Sequence, residues 1–311
     1  MRHFLALTDF SPDELSSILD LAIQLKTEWR RTGNRPLLKD KVLAMVFQKP
    51  SLRTRVSFDM AMRQVGGDAL YISPNEIGLG KRESVADVSR VLSGYVDAIM
   101  ARVFEHDHIL ELAEYASVPV INGLSDYNHP CQAMADALTM LEHLGRLEGL
   151  NLTYMGDGNN VAISLLFLSA LMGMNFTIAS PQGYEIPSDV FAEAISIAKE
   201  TGASLRQSED PHEAVLDATV IYTDTWTSMG QEVEAEKRRK VFPPYQVNSH
   251  LVSEADPSVI VMHCLPAHRG EEITDEVADG PHSVIFQQAE NRMHAQKAIL
   301  VYLLSETFRG S

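Results

Sequence analysis

Short apolar runs rich in Val, Ile, Leu and Met recur along this chain, each closing on polar or small residues and each followed by a helical pattern. A run without polar alternation suits a strand buried on both faces, and parallel strands need helical crossovers between them. Residues 42–47, 69–72, 98–102 and 118–122 read as strands, with helices over 52–65, 83–95, 106–116 and from about Pro130. The scheme then repeats. Strands are expected at 152–155, 176–179, 220–223, 259–263 and 283–286, with helices opened by residues 156–160 and over 188–201 and 290–304. The fold class is therefore α/β, and 311 residues accommodate two domains of mainly parallel sheet flanked by helices. A boundary is expected within 133–150, where a helical stretch ends in Gly145-Arg146-Leu147-Glu148-Gly149.

Composition narrows the function classes. Lys plus Arg number 26 against 42 Asp plus Glu, a formal charge of −16. So acidic a surface repels nucleic acid and anionic membranes, and it makes a local gathering of arginines a sign of a bound anion. Cys131 and Cys264 are the two cysteines, too few for a disulfide framework, so a cytosolic protein is expected. No apolar signal segment separates Met1 from Ser11-Pro12-Asp13-Glu14. The apolar stretch 161–174 is shorter than the ~18 residues a membrane span requires and reads as a buried helix.

The chemistry-bearing residues gather at the C-terminal ends of the expected strands, the edge where open parallel sheets bind ligands. Ser51-Leu52-Arg53-Thr54-Arg55 lies between a strand and a helix start. Free N–H groups, two hydroxyls and a forked guanidinium there suit a phosphate, although a capped helix with surface arginines has the same look. Arg102 ends the next buried strand. His129-Pro130-Cys131-Gln132 opens another helix, with His129 and Gln132 three apart and able to face one way. An imidazole there can polarise a carbonyl, or it can merely cap the helix.

In the second half, Gly156-Asp157-Gly158-Asn159-Asn160 partly resembles a dinucleotide fingerprint, but the next strand ends Ala179-Ser180-Pro181-Gln182, without an acid for a ribose hydroxyl. Nicotinamide-cofactor binding is therefore discounted, and Asn160 is read as a contact for a carboxylate or amine. Asp224, after the strand at Ile221, suits a cationic amine or caps its loop. Cys264, in His263-Cys264-Leu265-Pro266, is open to reading as a nucleophile, a ligand or an inert buried thiol. With His268 it falls short of a zinc pattern, so no metal and no cofactor are expected. Arg292, expected to open the last helix, is a further anion contact. Phosphate and oxyanion donors in one half and groups for a cationic molecule in the other fit a phosphorylated acyl donor meeting an amine.

Phe47 through Arg55, His129-Pro130-Cys131-Gln132, Asp224 through Ser228-Met229-Gly230, and His263-Cys264-Leu265-Pro266 together resemble the four signatures of the aspartate/ornithine carbamoyltransferase family, in order and spacing. The resemblance runs from about residue 3 to 305, and its last two segments look like the ornithine branch. It implies a carbamoyl phosphate-binding domain over 1–134, with the C-terminal helix 290–311 packing back on it, and an ornithine-binding domain over 135–289. It implies that Ser51, Leu52, Arg53 and Thr54 surround the phosphate, and that Arg102 and His129, assisted by Thr54, lie on the carbonyl oxygen. Gln132 and the backbone near Cys264 and Leu265 would meet the carbamoyl nitrogen, and Arg292 would complete that pocket. Asn160, Asp224, Ser228 and Met229 would hold L-ornithine, with Asp224 and Cys264 acting beside it. A homotrimer or a multiple of trimers is implied as well.

Two departures stand out. Leu52 occupies a position where many members have threonine, and the loop Gly78-Leu79-Gly80-Lys81-Arg82 lacks the glutamine that many ornithine enzymes place there. Lys81 or Arg82 is a candidate substitute, from the same subunit or a neighbouring one. The rival readings are a sister transcarbamoylase acting on putrescine or an N-acylated ornithine, a noncatalytic binding protein on the same fold, and a dehydrogenase.

Overall fold

The computed structural model describes residues 1–227 and 232–305, which form two compact units. The first comprises Met1–Leu138 and the chain from Glu290 on; the second is Thr139–Ala289.

The first unit opens with α1 (Pro12–Thr32). Sequence reading did not name this helix, yet its start signal is present. Ser11 accepts from the Glu14 N–H, the Glu14 carboxylate returns to the Ser11 N–H, and proline occupies the first turn. Then follow β1 (Val42–Phe47), α2 (Leu52–Gln64), β2 (Asp68–Ile72), α3 (Pro74–Ile77), α4 (Val85–Ser93), β3 (Ala98–Arg102), α5 (His106–Tyr115), β4 (Val120–Leu124) and α6 (Pro130–Leu144). The strands form an all-parallel sheet in the order β2-β1-β3-β4. Its inner strands are buried along nearly their whole length, as their unbroken apolar runs require. Ala44, Val46, Ile99, Ala101, Ile109, Leu112 and Val120 belong to one core cluster between the sheet and its helices.

The second unit holds β5 (Asn151–Met155), α7 (Asn160–Met172), β6 (Asn175–Ala179), α8 (Ser188–Thr201), β7 (Leu205–Ser208), α9 (Pro211–Val215), β8 (Val220–Thr223), α10 (Ala235–Val241), α11 (Ser249–Ser253), β9 (Ile260–His263) and α12 (Asp275–Ala278). Its sheet is also parallel, in the order β7-β6-β5-β8-β9. The chain leaves the first unit within α6 and returns to it within α13 (Ile285–Leu304). α7 is buried at every residue from Val161 to Leu171, so it shows no amphipathic stripe and reads as a plain apolar run.

Two expectations need correction, and one strand was missed. Residues 283–286 do not form a strand: Ser283 makes an isolated bridge to Val261, and α13 already begins at Ile285. Arg292 therefore sits inside that helix, not at its start. The edge strand β7 escaped notice because Leu-Arg-Gln-Ser carries no apolar run; an edge strand has solvent beside it and tolerates polar residues.

Candidate functional site

Both sheets place their chemistry by the same rule. In the first, the chain goes from β1 outward to β2, then returns to β3 on the other side of β1. The C-terminal ends of β1 and β3 therefore flank a topological switch point, where connections diverge and leave a crevice. Parallel register pairs Phe47 with Arg102, so the loop leading into α2 starts beside that arginine.

Ser51 caps α2, its hydroxyl accepting from the Thr54 N–H at 3.3 Å and donating to Thr54 Oγ1 at 3.1 Å. The fully buried Thr54 Oγ1 also accepts from Arg102 Nη1 at 3.3 Å and from Arg292 Nη2 at 2.9 Å. The other Arg292 nitrogen donates to Gln132 Oε1, and Gln132 in turn donates to Asp136 Oδ1 at 2.8 Å. Two guanidinium groups and one amide, from β3, α13 and α6, are thus held by one threonine and one another. Burial, then the charges of Arg292, Arg102 and Lys49, hold His129 well below the usual imidazole range. Such a ring is neutral at physiological pH and can donate a hydrogen bond without being a cation.

Of the expected phosphate residues, Ser51, Arg53 and Thr54 line the start of α2, while the Leu52 side chain is 74% exposed and offers only backbone there. Lys49 received no role from the sequence, although it lies in the first motif. It is buried, its ammonium is 5.0 Å from the Phe104 ring centre, and burial and Arg102 lower its pKa to about 8. Gln48 fixes the neighbouring loop by donating to Leu79 O and accepting from Phe104 N–H at 3.0 and 2.8 Å. Lys81 and Arg82 are exposed on that loop.

In the second unit the switch point lies between β5 and β8. Register pairs Met155 with Thr223 and Thr223 with His263. One residue further out, Asp224 and Cys264 stand side by side, with the cysteine Sγ donating to Asp224 Oδ1 at 3.0 Å. The same oxygen accepts from Thr225 N–H at 2.8 Å, and Asp224 Oδ2 accepts from Asn159 Nδ2 at 3.0 Å. Asn160 begins α7 and is half-buried. Ser228 and Met229 lie outside the described residues.

Three supports were not legible in the sequence. The buried Arg238 pairs with Asp157 Oδ2 at 2.7 Å and donates to Trp226 O at 2.9 Å, tying the segment after β8 to the loop after β5. Burial raises the Asp157 pKa and this arginine opposes the rise. His263 is fixed at both nitrogens: Nδ1 accepts from Leu265 N–H at 2.9 Å, so Nε2 carries the proton and donates to the fully buried Glu272 at 2.9 Å. Gly158 looked like a phosphate-loop glycine, but a Cβ there would come within 2.5 Å of the backbone of Glu185 and Ile186. It is glycine because its own chain passes that close.

Asp224, His263 and Cys264 are near enough together to share a metal ion, as are His268, Glu271 and Glu272. Both groups are already used internally, in the contacts given for Asp224, Cys264 and Glu272. No helix among the described residues is long and apolar enough to cross a membrane.

Two parallel-sheet domains, one with clustered arginines beside a neutral histidine and the other with a buried carboxylate at its switch point, define an α/β group-transfer enzyme. Residues 2–142 match the carbamoyl-P binding domain, and residues 148–303 the Asp/Orn binding domain, of aspartate/ornithine carbamoyltransferase. The chain belongs to the aspartate/ornithine carbamoyltransferase family. It is 54% identical to an ornithine carbamoyltransferase of Pyrococcus abyssi over 99% of this chain and 98% of the relative. It is 53% identical to an anabolic ornithine carbamoyltransferase of Pyrococcus furiosus over 97% of this chain and 96% of that protein. The solved ornithine carbamoyltransferase of Pyrococcus furiosus superposes with a TM-score of 0.95 at 52% identity, covering 98% of this chain and 97% of the other. That of Gloeobacter violaceus gives 0.88 at 46% identity, covering 98% and 99%.

Proposed function

We propose that this protein transfers the carbamoyl group of carbamoyl phosphate to the side-chain amine of L-ornithine, giving L-citrulline and phosphate in arginine metabolism. The observation that carries the reading is the convergence of Arg102 and Arg292 on Thr54 beside the neutral His129. Ser51, Arg53, Thr54 and the backbone of Leu52 hold the phosphate at the start of α2. Arg102 and His129 donate to the carbonyl oxygen, whose negative charge grows as the amine adds. Gln132 and Arg292 orient the carbamoyl group.

In the second unit Asp224, Asn160, Ser228 and Met229 hold ornithine, with Cys264 beside Asp224. The attacking amine resembles that of lysine, with a pKa near ~10.4 in water, so it must shed a proton first. Addition yields a tetrahedral oxyanion; its collapse breaks the C–O bond to phosphate, and the departing phosphate takes up the amine's second proton. Positioning and donors aimed at the oxyanion supply the catalysis. The protein works in the cytosol as a trimer or a multiple of trimers.

The test is a product assay with carbamoyl phosphate and, separately, ornithine, putrescine, N-acetylornithine and aspartate. Citrulline as the dominant product is expected. Preference for another acceptor refutes the ornithine assignment, and no product from any acceptor refutes the transferase. Light scattering on the purified protein tests the trimer.

A further inference from the structure

Asn159 was passed over in favour of its neighbour Asn160, yet it is the residue that joins helix α7 to Asp224. Its side-chain oxygen accepts from the N–H groups of Val161 and Ala162 at 2.9 and 3.1 Å, capping the helix. Tyr154 adds its hydroxyl to the same oxygen at 3.3 Å. Three donors on one atom leave no choice of amide orientation, because the NH₂ end turned toward them would meet N–H with N–H. The NH₂ group must therefore face the other way, where it donates to Asp224 Oδ2 at 3.0 Å. Asp224 Oδ1 already receives Thr225 N–H and the Cys264 thiol. With both oxygens engaged, the carboxylate plane is set by groups from β5's loop, β8's loop and β9's end.

We infer that Asn159 is the positioning residue for Asp224: the helix cap locks its amide so that it presents only a donor to the carboxylate. The inference rests on the reading of Asp224 as an ornithine contact. Cap and donor functions belong to opposite ends of one amide, so side chains exist that keep one and lose the other. Aspartate and serine are both good caps, but neither can donate to Asp224 from this place in the manner of an amide. Aspartate, the closer match in shape, also sets a second carboxylate against the first.

The experiment compares wild type with Asn159→Asp, Asn159→Ser and Asn159→Ala, measuring melting temperature, citrulline formation, and KM for each substrate. Asn159→Ser keeps a cap and is expected to melt within about 3 °C of wild type, Asn159→Ala to melt lower, and Asn159→Asp to melt lower too, because its carboxylate faces that of Asp224. The expected loss in kcat/KM for ornithine is about tenfold in Asn159→Ser and larger in Asn159→Asp, with KM for carbamoyl phosphate within about twofold. A residue that only caps or fills space predicts the reverse order, with the isosteric Asn159→Asp nearest to wild type. Wild-type ornithine kinetics in Asn159→Asp, or an equal rise in both KM values, overturns the inference while the transferase reading stands. A wild-type protein that makes no citrulline overturns that reading and this inference with it.

Discussion

Arg292 on α13 donates to Thr54 on α2 at 2.9 Å, although 238 residues separate them in sequence. The bond places the last helix's guanidinium at the helix start where phosphate is expected. Thr54→Val keeps the shape of the side chain and removes the acceptor shared by Arg102 and Arg292. We expect kcat/KM for carbamoyl phosphate to fall at least tenfold, since each hydrogen bond to a charged group is worth about 1.5–3 kcal/mol. Initial rates at varied carbamoyl phosphate check this; an unchanged value refutes the shared-anchor role.

His129 is expected to act uncharged. Its pKa is depressed, so it takes up a proton only in more acid solution than an ordinary histidine would. Lowering the pH from 8 to 6.5 should therefore cause no loss in kcat/KM for carbamoyl phosphate attributable to this ring. His129→Ala should reduce kcat by ~10²–10³, the usual cost of one oxyanion donor. A pH–rate profile of wild type whose acid limb at 6.5 vanishes in His129→Asn would contradict the neutral assignment.

Cys264 donates to Asp224 and has no need to be a nucleophile in direct transfer. Cys264→Ser retains a donor and should raise the KM for ornithine only a few-fold, whereas Cys264→Ala should raise it by about tenfold. Abolished turnover in both, with ornithine binding intact by calorimetry, would instead point to covalent catalysis.

Lys297 is fully buried in the first unit, its ammonium held by Asn34 Oδ1 and Gln64 Oε1, each at 2.8 Å. Neither partner is charged, and burial lowers its pKa to about 8 from an ordinary 10.5. The folded state thus disfavours the cation. Its stabilising contribution is present above pH 10.5 and is lost as pH falls through 8. Against Lys297→Met, wild type should gain relative stability as pH rises from 8 to 10, read by chemical denaturation at each pH. A constant difference would refute the linkage.

Much of the fold was legible because buried parallel strands write themselves as unbroken apolar runs. The runs at 42–47 and 98–102 coincide with β1 and β3. The parts missed have weaker or divided signals. β7 is a polar edge, and α1 announces itself only by its cap. Within residues 283–286, Val284 and Ile285 are apolar for burial, Ile285 within the second unit's core, and not for strand pairing. Thr54, Arg102, His129, Gln132, Asp224 and Cys264 were legible as candidate site residues because each follows or ends a strand. Lys49, Arg238, Glu272 and Asn159 were not, since a lone charge or amide has no pattern to mark its partner.

The sequence by itself determined the alternation of strands and helices, and with it the edge of each sheet where chemistry would gather. It also determined the side-chain inventory there: guanidinium, imidazole, amide, carboxylate and thiol. These are local properties, set by periodicity and residue type. Only the tertiary structure decided which of them meet. Strand order and register put Arg102 beside the start of α2 and Asp224 beside Cys264, and the returning α13 brings Arg292 to Thr54. Those pairings join residues tens to hundreds of positions apart, so no pattern along the chain encodes them; they exist because burial of the apolar faces permits one arrangement of the strands.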